Sequence, residues 1–312
     1  MLALLLLLLW TPAALASTTT RETIRPAAGT GYVPLERHGG ERYVVRRHPA
    51  AHPARRRAAQ RRSLAFFGQL TDPQIADEMS PARVDFLDPA GGEIASSWRP
   101  QEAFELQVFD SIVRTVNANS RSAVRDRGGK RAKLGFVITT GDLADNQQLN
   151  ETRWFKGVLD GGRVDPFSGQ AISASNPCPG ATPPTVAALN AAVAARRYTG
   201  VADYDDYPGV PPARYAGFWD PDVAPPGGPY AAFPRYPGLL DRAQRPFTAQ
   251  GLKVPWYIAR GNHDGLIQGN APASVDLFRA IATGCLKVFP SAAIDPAQFA
   301  NADQDEAFRR IG

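Results

Sequence analysis

The chain is 312 residues long, with 35 Lys and Arg against 30 Asp and Glu, a formal net charge of +5, 44% apolar residues and 21% charged ones. That length fits about two domains, or one large domain with insertions, and the composition excludes wholesale disorder, collagen and coiled coil. Two cysteines, Cys178 and Cys285, exclude a disulfide-rich scaffold and an all-Cys zinc or iron–sulfur site, and four histidines exclude a His-rich metal protein.

Residues 1–16 open with an apolar run that ends at Trp10, about half of the ~20 residues that a bilayer span needs, and Ala14-Leu15-Ala16 follows as a small-x-small cleavage pattern. The segment reads as a secretory signal peptide, although no basic residue precedes its apolar core; an uncleaved anchor or a buried N-terminal helix is the alternative. The chain is therefore expected to be exported, either secreted or held in the cell envelope. No other run is long enough for a stable membrane span. Residues 17–62 show no clear apolar period. Nine arginines and two glutamates give residues 36–62 a charge of +7, which suits either a basic arm for polyanions or a solvated linker. Thirty of the chain's 35 basic residues are Arg, so the cluster is partly compositional, and Tyr43 is the one aromatic in it. A disordered linker, with no nucleic acid partner, is the expectation.

Three strand-then-loop units follow. Residues 64–70 form a short, mostly apolar run bounded by Thr71-Asp72-Pro73, which fits a buried strand with Asp72 and Gln74 just past its C-terminal end. Pro100 suits the first turn of a helix. From there Leu106, Phe109, Val113 and Val116, widened by Phe104, Val108 and Ile112, give an amphipathic stripe. Residues 121–133 are charged and read as a surface turn. Residues 134–139 are a second buried strand, ending in Gly141-Asp142-Leu143-Ala144-Asp145. The third unit is the strand 254–259 followed by Gly261-Asn262-His263-Asp264. In open α/β sheets ligands bind at the carboxyl ends of strands. Asp, Asn and Gln oxygens with a His are suitable ligands for a hard or borderline divalent metal.

The order Asp72-Pro73-Gln74, Gly141-Asp142-Leu143-Ala144-Asp145, Gly261-Asn262-His263-Asp264 resembles the calcineurin-like metallophosphoesterase superfamily, and the Asp-Pro-Gln form with a long insert is similar to an exported bacterial subgroup; the matched units span residues 64–264. The resemblance implies an α/β fold, an αββα sandwich of two mixed sheets flanked by helices. It implies hydrolysis of a phosphate mono- or diester by a metal-activated hydroxide, with two divalent metal ions (Mn, Fe, Zn or Mg) as cofactors. Asp72 and Gln74 would bind the first ion, Asp142 would bridge both, and Asn262 would give its carbonyl oxygen to the second. His263 would be the general acid or transition-state donor, Asp264 would fix its tautomer, and Asp145 would hold the loop without touching metal.

Gln74 stands where the family has His, and no histidine follows His263, where the family takes further metal ligands. Residues 63–312 are therefore expected to supply the front part of such a domain, incomplete at its C-terminal end. A non-catalytic binding or interaction module is the alternative function. Residues 161–250 form an insert with 15 Pro, 10 Gly and scattered Tyr, containing one Ala-rich helix candidate at 185–196; it reads either as a cap over the metal edge or as a solvated excursion. Cys178 lies in this insert and Cys285 beyond it, so in an oxidising compartment a pair between them would tie the insert down. Residues 274–282 and 303–311 read as helices. Oligomeric state and substrate are open.

Overall fold

Of this chain, the computed structural model describes residues 19, 21–30, 33–41, 60–85, 88, 97–175, 183–202, 218–223, 231 and 233–270. In chain order the elements are β1 (Glu22–Pro26), β2 (Leu35–Gly39), β3 (Gly68–Leu70), α1 (Glu105–Ala118), β4 (Arg121–Arg125), β5 (Arg131–Lys133), β6 (Val137–Thr139), α2 (Leu149–Asp160), β7 (Gly162–Val164), α3 (Pro183–Ala195), α4 (Leu239–Ala243), β8 (Phe247–Ala249) and β9 (Trp256–Ile258). Short 3-10 turns occupy Pro81–Arg83 and Pro100–Phe104. The chain is thus a mixed α/β protein with small sheets and few helices, divided into one unit of residues 1–66 and 115–134 and another of residues 67–114 and 135–312. The signal-like residues 1–16, both cysteines and the helices expected at 274–282 and 303–311 lie outside the described residues.

In the first unit, two antiparallel hairpins form where no apolar alternation is present. β1 pairs with β2 over five residues inside the stretch expected to be linker. Its outer positions are polar or exposed, with an ion pair between Arg37 and Glu22 at 3.1 Å and another between Arg25 and Glu41 at 3.6 Å. Ladder hydrogen bonds and opposite charges, not burial, hold it, so it left no hydrophobic period to read. Residues 121–133, expected to be a plain surface turn, form the hairpin β4–β5.

The second unit holds the core. β3, β6 and β9 make a three-stranded parallel sheet in that order, with Leu70, Thr139 and Ile258 in register at its C-terminal edge. Each strand is shorter than its apolar run: residues 64–67, 134–136 and 254–255 precede the paired positions, with only the Phe136 and Pro255 carbonyls accepting from the neighbouring strand, and Leu64 is 81% exposed. The sheet is also buried on one face only, which corrects the expectation of fully buried strands. On the inner face Val137 and Thr139 are fully buried, and Leu70 and Trp256 pack against Leu106, Phe109, Val113, Trp154, Phe155, Val158 and Leu159 of α1 and α2. On the outer face the Phe67 and Phe136 rings stack with centroids 5.2 Å apart, and Tyr257 meets Phe136 edge-on at 5.8 Å. Phe67 is 48% and Tyr257 58% exposed.

α1 starts after Pro100 as expected, but its buried stripe is narrower than the sequence suggests. Leu106, Phe109 and Val113 are buried, whereas Val108 and Ile112 are exposed. β7 pairs antiparallel with β8, so the two ends of the 161–250 insert are tied together at its base. Among its described residues, part of the insert is buried and part is exposed. Tyr198, Val201, Ala202, Phe218 and Trp219 are all buried, and Phe218 meets Trp98 edge-on. Its Ala-rich helix forms as α3.

Candidate functional site

The three loops that leave the C-terminal ends of β3, β6 and β9 are stitched to one another by hydrogen bonds. The Asp72 amide donates to the Gly141 carbonyl (3.3 Å), the Gln74 amide to the Asp142 carbonyl (2.8 Å) and the Ile75 amide to the Leu143 carbonyl (2.9 Å). The third loop joins through side chains. Asp142 Oδ1 accepts the His263 amide at 2.8 Å. The Asp264 carboxylate accepts four amides, from Asp142 (3.1 Å), Leu143 (2.8 Å), Ala144 (2.9 Å) and Gly261 (2.8 Å).

Two glycines make this closeness possible. A Cβ on Gly141, whose φ is +107°, would stand 2.7 Å from the Gly261 backbone, and a Cβ on Gly261 would stand 2.1 Å from Asp142 Oδ1. Asp72, Gln74 and Asp142 themselves adopt left-handed backbone conformations, with φ of 51°, 46° and 53°. Such a conformation costs a non-glycine residue roughly 1–3 kcal/mol and clusters at ligand-binding positions. All three are residues that the sequence offers as metal ligands through their side-chain oxygens.

His263 is held by Asp145, whose Oδ1 lies 2.8 Å from Nδ1. This corrects the expected division of labour: Asp145 fixes the imidazole, and Asp264 is occupied with backbone amides. The hydrogen bond to Asp145 raises the His263 pKa above its ordinary value; partial burial opposes it, and the charges of Asp145 and Asp142 add to it. With Nδ1 facing Asp145, Nε2 is the nitrogen left for other partners, and none is found among the described residues.

Asp145 is fully buried and is itself braced by residues that the sequence did not single out. Arg83 Nε lies 3.3 Å and Arg99 Nη2 3.8 Å from its Oδ2. Arg83, also fully buried, forks onto Glu102 through Nε (2.9 Å) and Nη2 (2.7 and 2.6 Å), and Arg99 Nε bonds Glu102 as well. The i,i+3 spacing of Arg99 and Glu102 was a readable signal; Arg83 sits in a segment without period and had none. Burial, with the charges of Glu102 and Asp85 beside it, pushes Glu78 well above the usual carboxylate range.

Glu151 is a further buried residue without a clear sequence signal. At the start of α2, it accepts the amides of Asp77, Asn146 and Gln148, each at 3.0 Å, and so holds the exit of the second loop. Burial pushes its pKa up to about 7 against the pull of those donors. Gln148 is an unusual N-cap residue, so the capping box that Glu151 closes did not stand out.

Of the expected site residues, the loops thus bring Gln74, Asp142, Asp145, His263 and Asp264 into one bonded group. Asp72 borders it through its amide, with Thr71 donating to its carboxylate. Asn262 is exposed between Gly261 and His263. Among the described residues no group of three or more His, Cys, Asp or Glu side chains converges in a way that would hold a metal, and none of the helices is long and apolar enough to cross a membrane. Comparison of the chain with models of protein families, with curated proteins and with solved structures gives no match.

Proposed function

We propose that the chain hydrolyses a phosphate mono- or diester with the help of divalent metal ions, using the three loops at the C-terminal edge of the β3-β6-β9 sheet. The observation that carries this reading is the joining of the Asp72, Asp142 and His263 loops by direct hydrogen bonds, with three of the proposed ligands in left-handed conformations. The parallel sheet with helices on its inner face is also what the front part of an αββα sandwich would contribute.

The donor set fits a hard cation. Asp72 and Asp142 offer carboxylate oxygens, Gln74 and Asn262 offer amide oxygens, and no thiolate is present among them. These four residues would hold the ions, which when bound polarise a phosphoryl oxygen and lower the pKa of a water. The chain's own groups do the rest. Asp145 fixes the imidazole through Nδ1 and raises its proton affinity, so that Nε2 carries a proton to the leaving oxygen. Asp264 holds the second loop rigid by gathering its amides. The Arg83–Glu102 pair braces Asp145 in place, with Arg83 Nε 3.3 Å from its Oδ2.

A non-catalytic binding module is favoured by one observation: the Asp264 carboxylate and one oxygen of Asp142 already serve backbone amides, as in a purely structural loop lock. Hydrolysis of p-nitrophenyl phosphate and bis-p-nitrophenyl phosphate with added manganese separates the two. The enzyme reading expects turnover that falls by about 10²-fold or more in His263→Asn, in line with the loss of an acid–base group, and that also falls in Asp142→Asn through the loss of a metal ligand. Calorimetric titration with manganese gives a second readout, with binding weakened in Asp142→Asn. Absence of both turnover and metal binding in the wild-type chain would leave the binding module as the answer.

A further inference from the structure

We propose that the β4–β5 hairpin of the first unit is a docking face for an anionic phospholipid surface. The hairpin pairs Arg121 with Lys133 and Arg125 with Arg131. Directly opposed residues lie on the same face of a ribbon, and like charges placed there destabilise it. All four cations are exposed, while Ser122 is buried and Val124 half-buried on the opposite face. Arg127 and Lys130 add two further exposed cations at the turn.

Nothing in the described structure neutralises this face. Among the described residues none of these six cations forms an ion pair with a carboxylate. Their guanidinium bonds go to main-chain carbonyls, Arg121 Nη1 to Arg131 (3.4 Å) and Arg125 Nη1 to Gly129 (2.6 Å). The single acid in the hairpin, Asp126, accepts the Lys130 backbone amide at 3.0 Å and so shapes the turn. The Ser63 amide donates to the Arg125 carbonyl at 2.7 Å, which brings the exposed Arg61 and Arg62 to the same edge.

A face that opposes its own charges is relieved by a partner that supplies many anions at once, and phosphates match guanidinium groups bidentately. The face has no aromatic ring to stack on a base and no amide side chain to read a base edge, which disfavours nucleic acid. Between the cations it offers only Ala123 and the turn glycines, so contact is with headgroups, without insertion into the bilayer. The hairpin shares no residue with the three loops of the second unit.

The test is co-sedimentation of the full chain with phosphatidylglycerol-containing vesicles and with pure phosphatidylcholine vesicles, at low and high salt. Binding is expected to the anionic vesicles alone and to fall with salt. Arg131→Glu should weaken it on the order of tenfold. Because that substitution turns a like-charge pair into an opposite-charge one, it should also raise Tm by about 2 °C, so the lost binding does not come from misfolding. Lys133→Glu should behave in the same way at the other pair. Equal binding to both vesicle types, undiminished binding by both variants, or tighter binding to a duplex DNA oligonucleotide than to anionic vesicles at the same salt would overturn the proposal.

Discussion

His263 owes its raised proton affinity first to Asp145, whose buried carboxylate accepts from Nδ1 at 2.8 Å. A histidine whose pKa is raised in the folded state holds its proton more tightly there than in the unfolded chain. The resulting stabilisation is fully present below the unfolded value of about 6.5 and is lost as pH rises through the folded value. Asp145→Asn should bring the His263 titration, followed by NMR, down toward the unperturbed value; an unmoved midpoint would show that Asp145 is not the cause. Asp264 carries a different burden. Hydrogen bonds to an ionised group contribute about 1.5–3 kcal/mol each at most, and four amides here converge on one carboxylate. Asp264→Asn should therefore cost about 2–4 kcal/mol in urea denaturation, and a loss below about 1 kcal/mol would contradict the loop-lock role. The sequence marked both aspartates as site residues but exchanged their roles. Asp264 bonds amides 120 to 122 positions away, and that distance carries no local pattern.

At the scale of the element, α1 shows how a helix stripe is read too widely. Seven apolar residues recur at helical spacing, yet only the Leu106, Phe109 and Val113 line faces the core. Phe109→Ala should cost about 3–5 kcal/mol, because a buried ring leaves a cavity, whereas Ile112→Ala at a 41% exposed position should cost under about 1 kcal/mol. Comparable losses from thermal or chemical denaturation of the two variants would mean that a partner covers the Ile112 side. The β4–β5 hairpin is the opposite failure. Its Arg- and Lys-rich strands carry only small or short apolar residues, Ala123, Val124 and Ala132, among the charges, so the pairing is plain only in the backbone ladder.

For the whole molecule, the decisive feature is the parallel three-stranded sheet that sets three loops side by side. Its outer face leaves Phe67, Phe136 and Tyr257 stacked on one another and partly open to solvent. Exposed aromatic patches promote association. The double variant Phe67→Lys, Tyr257→Lys should therefore stay monomeric to higher concentration in sedimentation velocity than the wild type, with little change in Tm; a large drop in Tm would show that the rings belong to a working core. The three apolar runs, each ending in Asp, Gly or Asn, were enough by themselves to locate the strands, the strand-end position of the loops and most of the side chains that meet there. The reason is local: burial demands apolar runs, and tight turns demand glycine next to short polar residues. Tertiary structure alone decided where each strand stops, which sheet face is covered, and that Arg83, Glu102 and Glu151 brace the loops. Those outcomes depend on which groups meet across tens to more than a hundred residues of chain, and on a buried charge finding its counter-charge, neither of which leaves a periodic mark in the sequence.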